Sequence, residues 1–323
     1  MTQSGPILVT GAAGFIGSHV VAALTARGTA VVGLDNFDPY YDRAIKLRNS
    51  REVGLGGAKP LVEADICDDA AMRRVFDEHR PVGVIHLAGK AGVRPSIADP
   101  AGYMHTNVTG TARVLAHAQR VGCSRVVVAS SSSVYGNCTV SPFSEELDVS
   151  TPISPYAASK RACELLAHTH VHLTKQPVAC LRFFTVFGPR QRPDLAISAF
   201  LQRVSAGEAI AMFGDGTTAR DYTFVDDIVQ GVLSAYDAIP AHGYRVWNLG
   251  NNKPVSLREM IAAIERTVGT AAKIDRKPMQ PGDVELTCAD ISRSQRELGY
   301  QPRTSFAEGL AKQWAWMQGV AKG

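Results

Sequence analysis

No two of the six cysteines form a C-x-x-C pair. They stand at 67, 123, 138, 163, 180 and 288, with no histidine cluster at metal-ligand spacing beside them. A disulfide scaffold and a metal site are excluded on that spacing, and reduced thiols in a cytoplasmic protein are the expectation. No apolar run approaches the roughly 18 residues that a membrane span needs. No Lys or Arg precedes Arg27, and glycines break the first apolar run, so the N-terminus does not read as a secretory signal. An excess of one charge is lacking too. Lys and Arg number 34 against 30 Asp and Glu, a net +4 scattered along the chain. That excludes a nucleic-acid scaffold but leaves room for a local basic pocket. What is present is globular composition, 45% hydrophobic and 20% charged. A length of 323 residues carries a prior of about two domains at roughly 150 residues each.

Short Val-, Ile- and Leu-rich runs alternate with amphipathic stretches through the first half. Strands are expected at 6–9, 30–34, 61–64, 82–87, 125–129 and 178–184, and helices at 15–27, 41–52, 68–79, 100–121 and 155–174. The apolar runs are nearly continuous rather than alternating, as in strands buried on both faces. Strand–helix repetition then predicts an α/β fold, a Rossmann-like doubly wound parallel sheet. After about residue 185, Gly-Pro and Gly-Asp-Gly punctuation shortens the pieces, and a smaller α+β domain is expected. The division is 1–184 for the first domain and 185–323 for most of the second, with a return to the first sheet near 224–250.

Gly11, Gly14 and Gly17 directly follow the first strand and open the first helix. Glycines there allow a tight turn and close approach of backbone to a pyrophosphate, and the helix N-terminus supplies N–H groups and a positive dipole end. Asp35 ends the second strand, where an acidic side chain bonds the adenosine ribose hydroxyls and repels a 2′-phosphate. Asn36 and Phe37 follow, not Arg. The expected cofactor is therefore NAD rather than NADP.

Tyr156 and Lys160 are four residues apart in a helical stretch, so phenol and ammonium share one face. A phenol of ordinary pKa, about 10, is a poor base at neutral pH. A neighbouring ammonium favours the phenolate, which can take a proton from a sugar hydroxyl while hydride leaves the same carbon. Ser131, at the end of a strand and four residues before Tyr135, is the third catalytic candidate.

The Gly-x-x-Gly-x-x-Gly spacing resembles the extended short-chain dehydrogenase/reductases. With His86-Leu87-Ala88-Gly89, Asn107, Phe183-Phe184 and Arg220-Asp221-Tyr222, the chain resembles their NAD-dependent nucleotide-sugar epimerase family along nearly its whole length. Within it, the UDP-glucuronate 4-epimerase branch is the most similar. That likeness rests on Asp35-Asn36-Phe37 through Tyr40-Tyr41-Asp42, Gly92-Val93-Arg94, Ser131 to Gly136, and Arg182 to Pro189 running on to Arg192-Pro193-Asp194. Dehydratases resembling this fold carry Asp-Glu where Ser132 and Ser133 stand, and decarboxylases carry Glu at Ser133, so elimination and decarboxylation lack their expected groups.

The resemblance implies inversion at C4 of UDP-glucuronate to UDP-galacturonate through a 4-keto sugar. It places Phe15, Ile16, Asn36, Asp65, Ile66, Leu87, Ala88, Gly89, Asn107, Ser130 and Phe183, with Tyr156 and Lys160, around NAD. For the substrate it implies Ser131, Ser132 and Arg94, with Thr185 and Arg192 on the uronate carboxylate, Phe213 against the base, Arg220 on the diphosphate and Asp283 on the uridine ribose. A guanidinium suits a carboxylate bidentately, and holding it would suppress loss of carbon dioxide from a β-keto acid. No metal is expected. A homodimer through helices 100–121 and 155–174 is the implied assembly. A UDP-hexose 4-epimerase, a UDP-glucuronate decarboxylase and a non-catalytic NAD-binding regulator are the alternatives.

Overall fold

Valine, isoleucine and leucine fill both faces of the central strands, and the sheet they form is accordingly all-parallel and covered on either side. The structure is a computed structural model and describes residues 5–278 and 284–322. Among the described residues the strands are β1 Ile7–Thr10, β2 Val31–Asp35, β3 Leu61–Glu63, β4 Gly83–His86, β5 Val126–Ser131, β6 Val178–Phe183, β7 Thr185–Phe187, β8 Ala209–Phe213, β9 Ala219–Phe224, β10 Tyr244–Leu249, β11 Pro254–Ser256 and β12 Lys273–Lys277. Seven of them form the main sheet, in the order β10-β6-β5-β4-β1-β2-β3. This is the doubly wound arrangement expected from the strand–helix rhythm. The order in which strands are added reverses between β1 and β4, which run parallel, and the crevice beyond their C-terminal ends is where such sheets bind ligands.

The chain leaves the main sheet at Phe184 and enters a three-stranded sheet, β11-β9-β7. A two-stranded parallel pair, β12-β8, lies beyond it. Helix Val225–Ala238 packs on helix Phe15–Ala26 and brings the chain back to β10, which pairs with β6 along its whole length.

The stretch expected as one helix over 100–121 is interrupted. It comprises Pro100–Tyr103, a π-helical turn at Met104–Thr109 and Gly110–Arg120, preceded by a separate short helix, Val93–Ala98. Pro100 disfavours helical backbone at Asp99. Asp99 instead caps the next turn, its Oδ1 accepting from Gly102 N at 2.9 Å. The wide turn carries Asn107, and its buried side chain has a structural use described below. Among the described residues no helix is long and apolar enough to cross a membrane, and no group of three or more His, Cys, Asp or Glu could hold a metal ion.

Candidate active site

The glycine loop is shaped by backbone collisions that only glycine avoids. Gly11 has φ +70°, and a Cβ there would stand 2.8 Å from Ala88 N. A Cβ on Gly17 would stand 2.0 Å from Gly11 O, so helix Phe15–Ala26 can cross this close only with glycine at 17. Gly14 begins that helix without a side-chain cap, and its first turn holds no acidic residue. Its leading N–H groups and positive dipole end are thus left to an outside anion. Asp35 is buried at the end of β2. Its Oδ2 accepts from Ala13 N at 3.1 Å and its Oδ1 from Phe37 N at 2.8 Å, while the buried Lys46 Nζ lies 3.6 Å from Oδ1. Asn36 donates to Asp65 at 2.9 Å. Burial pushes the Asp65 carboxyl up, but the hydrogen bonds from Cys67 N and Asn36 leave it below its usual range.

Across the crevice, Ser154 caps helix Pro155–Thr174 through Ala157 N. This places Tyr156 in the first turn and Lys160 one turn on. The Tyr156 ring meets Tyr103 edge to face at 6.1 Å. Lys160 Nζ donates to Ala129 O at 2.9 Å, using one of its three donors, and a Cβ at Gly89 would come within 3.3 Å of it. Asn107 ties this region together. It donates to Lys90 O and Ser159 Oγ at 3.0 and 2.9 Å, and accepts from Lys90 N at 2.8 Å. Lys90 itself pairs with Asp99 at 2.8 Å.

Beneath Lys160, fully buried His86 lies 2.7 Å from Thr10 Oγ1 and 3.0 Å from Thr111 Oγ1. Burial, then the Lys160 charge, lowers its pKa to about 3, so His86 is neutral at physiological pH. Ser130 points the other way. Its hydroxyl donates to Glu164 at 2.6 Å, and Glu164 receives Arg182 through Nε and Nη2 at 2.8 and 2.9 Å. Burial raises the Glu164 carboxyl, yet the Arg182 hydrogen bonds and charge bring it below its usual range. Arg182 also donates to Tyr135 Oη at 3.0 Å. Ser131, buried beside it, caps the turn Ser132–Tyr135 by accepting from Ser133 N at 3.1 Å.

Beyond the sheet rim opens a cavity of about 340 Å³. It brings together Arg94, Ser132, Thr185, Arg192 and Arg220, which the sequence distributes over more than 120 positions. Phe213 backs this group, its ring 5.2 Å from the Arg94 guanidinium carbon. Asp283 lies outside the described residues. Two further lining residues, Tyr40 and Asp194, carry no role in the sequence reading. Asp194 holds Arg192 bidentately, at 3.0 Å from Nε and 2.8 Å from Nη2, and Tyr40 lies under the same guanidinium at 5.0 Å. The Arg192-x-Asp194 spacing was the available signal for that pair.

The profile of the NAD-dependent epimerase/dehydratase family matches residues 7–250. The chain belongs to that family. UDP-glucuronate 4-epimerase 3 of Arabidopsis thaliana is 42% identical over 333 residues, spanning 98% of this chain and 77% of the plant protein. The UDP-glucuronate 4-epimerase of Thermodesulfobacterium geofontis is 39% identical, over 97% and 96% of the two chains. A crystal structure of UDP-glucuronic acid 4-epimerase from Bacillus cereus, in complex with UDP-glucuronic acid and NAD, superimposes with a TM-score of 0.90 at 32% identity, over 98% and 99% of the two chains. The family's cofactor fits the residues present. The uncapped helix start at Gly14 suits a pyrophosphate, Asp35 at the end of β2 a ribose diol, and Lys160 beside Gly89 a second ribose.

Proposed function

We propose that this chain is an NAD-dependent epimerase that inverts C4 of UDP-glucuronate, giving UDP-galacturonate through a transient 4-keto sugar. The observation that carries the reading is the gathering of Arg94, Arg192 and Arg220 around one cavity beside Ser132 and Thr185. Such a substrate brings about two negative charges on its diphosphate and one on its carboxylate, and guanidinium forks suit all three. The serine segment 130–133 holds no carboxylate of its own to drive elimination.

NAD, when bound, takes the C4 hydrogen as hydride and returns it. The protein's own groups do the rest. Tyr156 accepts the C4 hydroxyl proton and later gives it back. Lys160 sets its ammonium one helical turn from Tyr156, and its two remaining donors would hold the cofactor's ribose. Ser131 shares the hydrogen bond to the reacting oxygen. Thr185 and Arg192 hold the carboxylate, and Arg220 the diphosphate. Residues 1–184 with the return segment chiefly hold the cofactor, and the remainder of 185–323 the nucleotide sugar.

Proton NMR of the purified protein with UDP-glucuronate tests this reading, with UDP-galacturonate and no pentose as the expected result. UDP-xylose would make it a decarboxylase, and conversion of UDP-glucose alone a hexose epimerase. The second of these draws support from Asp194, which already shares the Arg192 charge. Tyr156→Phe is expected to cut turnover by about 10³-fold or more while NAD stays bound. The assembly we propose is a homodimer. Exposed Met104, Leu165 and Leu173 on the two helical segments support it, and sedimentation at twice the chain mass is the check. Six free thiols are in keeping with a cytoplasmic protein.

A further inference from the structure

We infer that Asp194 and Tyr40 are positioning residues that fix Arg192 so that only one edge of its guanidinium faces the sugar. The inference rests on the functional reading above. A guanidinium offers two bidentate edges, one through Nε and Nη2 and one through Nη1 and Nη2. Asp194 takes the first, with both contacts at ordinary hydrogen-bond length. Among the described residues no hydrogen bond uses Nη1, so the second edge is left for a carboxylate. Tyr40 covers one face of the guanidinium at 5.0 Å and donates through its hydroxyl to Asp194 Oδ2 at 3.3 Å. Tyr40 is set by its own turn, its N–H donating to Asp38 at 2.9 Å.

Edge, face and counter-ion therefore come from two loops, one after β2 and one after β7. All three residues line the same cavity. A long arginine held on one edge and one face loses its rotamer freedom before substrate arrives, so less is lost on binding. Orientation matters chemically as well. In a 4-keto uronate the C5–C6 bond breaks when it aligns with the carbonyl π system. Its electron pair then passes to the C4 oxygen as an enolate, carbon dioxide leaves, and C5 takes a proton from water. The hydride removed earlier stays behind on the dinucleotide. A carboxylate anchored by a fixed arginine edge so that C6 stays near the plane of the ring keeps the C5–C6 bond out of that alignment.

The test uses the NAD-loaded protein in a Tyr156→Phe background, where UDP-glucuronate and UDP-glucose binding are measured by calorimetry without turnover. Asp194→Asn is expected to weaken UDP-glucuronate about tenfold and UDP-glucose less than twofold. With Tyr156 restored, the same substitution is expected to raise the fraction of UDP-glucuronate converted to 4-keto pentose, with matching accumulation of reduced dinucleotide. Tyr40→Phe removes one exposed hydroxyl and should shift both readouts in the same direction by about twofold. Unchanged affinity and unchanged pentose in both variants would make the Arg192–Asp194 pair a loop brace and overturn the inference. Tighter UDP-glucuronate binding in Asp194→Asn would overturn it as well, since Asp194 would then be a competitor. Wild-type protein that converts UDP-glucose but not UDP-glucuronate would bring down the functional reading itself, and the inference with it.

Discussion

The two sides of the crevice are built from different materials. On the cofactor side, position is set by backbone. Gly11 and Gly17 touch main-chain atoms, and buried Asp35 accepts two main-chain N–H groups. On the side proposed for the sugar, position is set by long side chains, with Arg94 from a short helix, Arg192 from a loop and Arg220 from β9 meeting at a cavity and Asp194 and Tyr40 trimming Arg192. A backbone site is rigid and tolerates almost no substitution. A side-chain site can be retuned by one residue without touching the fold. Changes on the first side should therefore cost stability and cofactor together, and changes on the second should cost only recognition.

The most damaging substitution should be Gly17→Ala. Its Cβ would overlap Gly11 O, and the loop has no flexible atom there to yield. A loss on the order of 5 kcal/mol in urea unfolding is expected, with NAD no longer retained on gel filtration. Next comes Arg182→Met, which strips the bidentate partner from fully buried Glu164. Removing one member of a buried pair costs about 3–5 kcal/mol, read as a fall in the denaturation midpoint. Arg192→Ala would show the contrast most clearly. It should raise KM for UDP-glucuronate about 100-fold, leave UDP-glucose nearly untouched and keep the unfolding free energy within about 0.5 kcal/mol of wild type. An equal loss for both sugars would erase the distinction between the two sides.

At neutral pH the smallest effect belongs to His86, whose contribution changes only in acid. Its folded pKa, about 3, is below the ordinary 6.5, so the unfolded chain takes up the proton first as acid is added. Stability is full above pH 6.5 and falls as pH drops toward 3, by up to about 1.4 kcal/mol per unit. His86→Gln should flatten that slope by about one proton, as measured by urea titrations between pH 6 and 4.5.

The cofactor side was legible because its rules are local. A strand, three glycines and a helix start are contiguous, and the spacing of Tyr156 and Lys160 is one turn of helix. Buried parallel strands announce themselves as continuous apolar runs, whereas β10, with Arg245 and Asn248 in it, was expected to return to the sheet without so clear a pattern. Lone side chains whose partners lie far along the chain were not legible. Nothing near Ser130 says that its hydroxyl turns to Glu164, or that Lys90 reaches Asp99. The π-helical turn at Met104–Thr109 was missed because residues 100–121 keep a helical composition. The extra residue in the turn answers to Asn107 and its bonds to Lys90 and Ser159, which periodicity does not encode. Tyr40 was hidden for the same reason, since its partner Asp194 lies 154 positions away.

The late arrival of β10 has a practical meaning. Strand β6, sealed on both faces and hydrogen-bonded on both sides, owes one of its neighbours to chain made more than sixty residues later. A fragment cut after residue 184 would carry Gly11, Gly14 and Gly17, Tyr156 and Lys160, yet would end in a bare apolar edge with its amides unanswered. Such a piece would be expected to stick to its own kind as synthesis or proteolysis released it. The first half of this protein relies on the second to cover that edge.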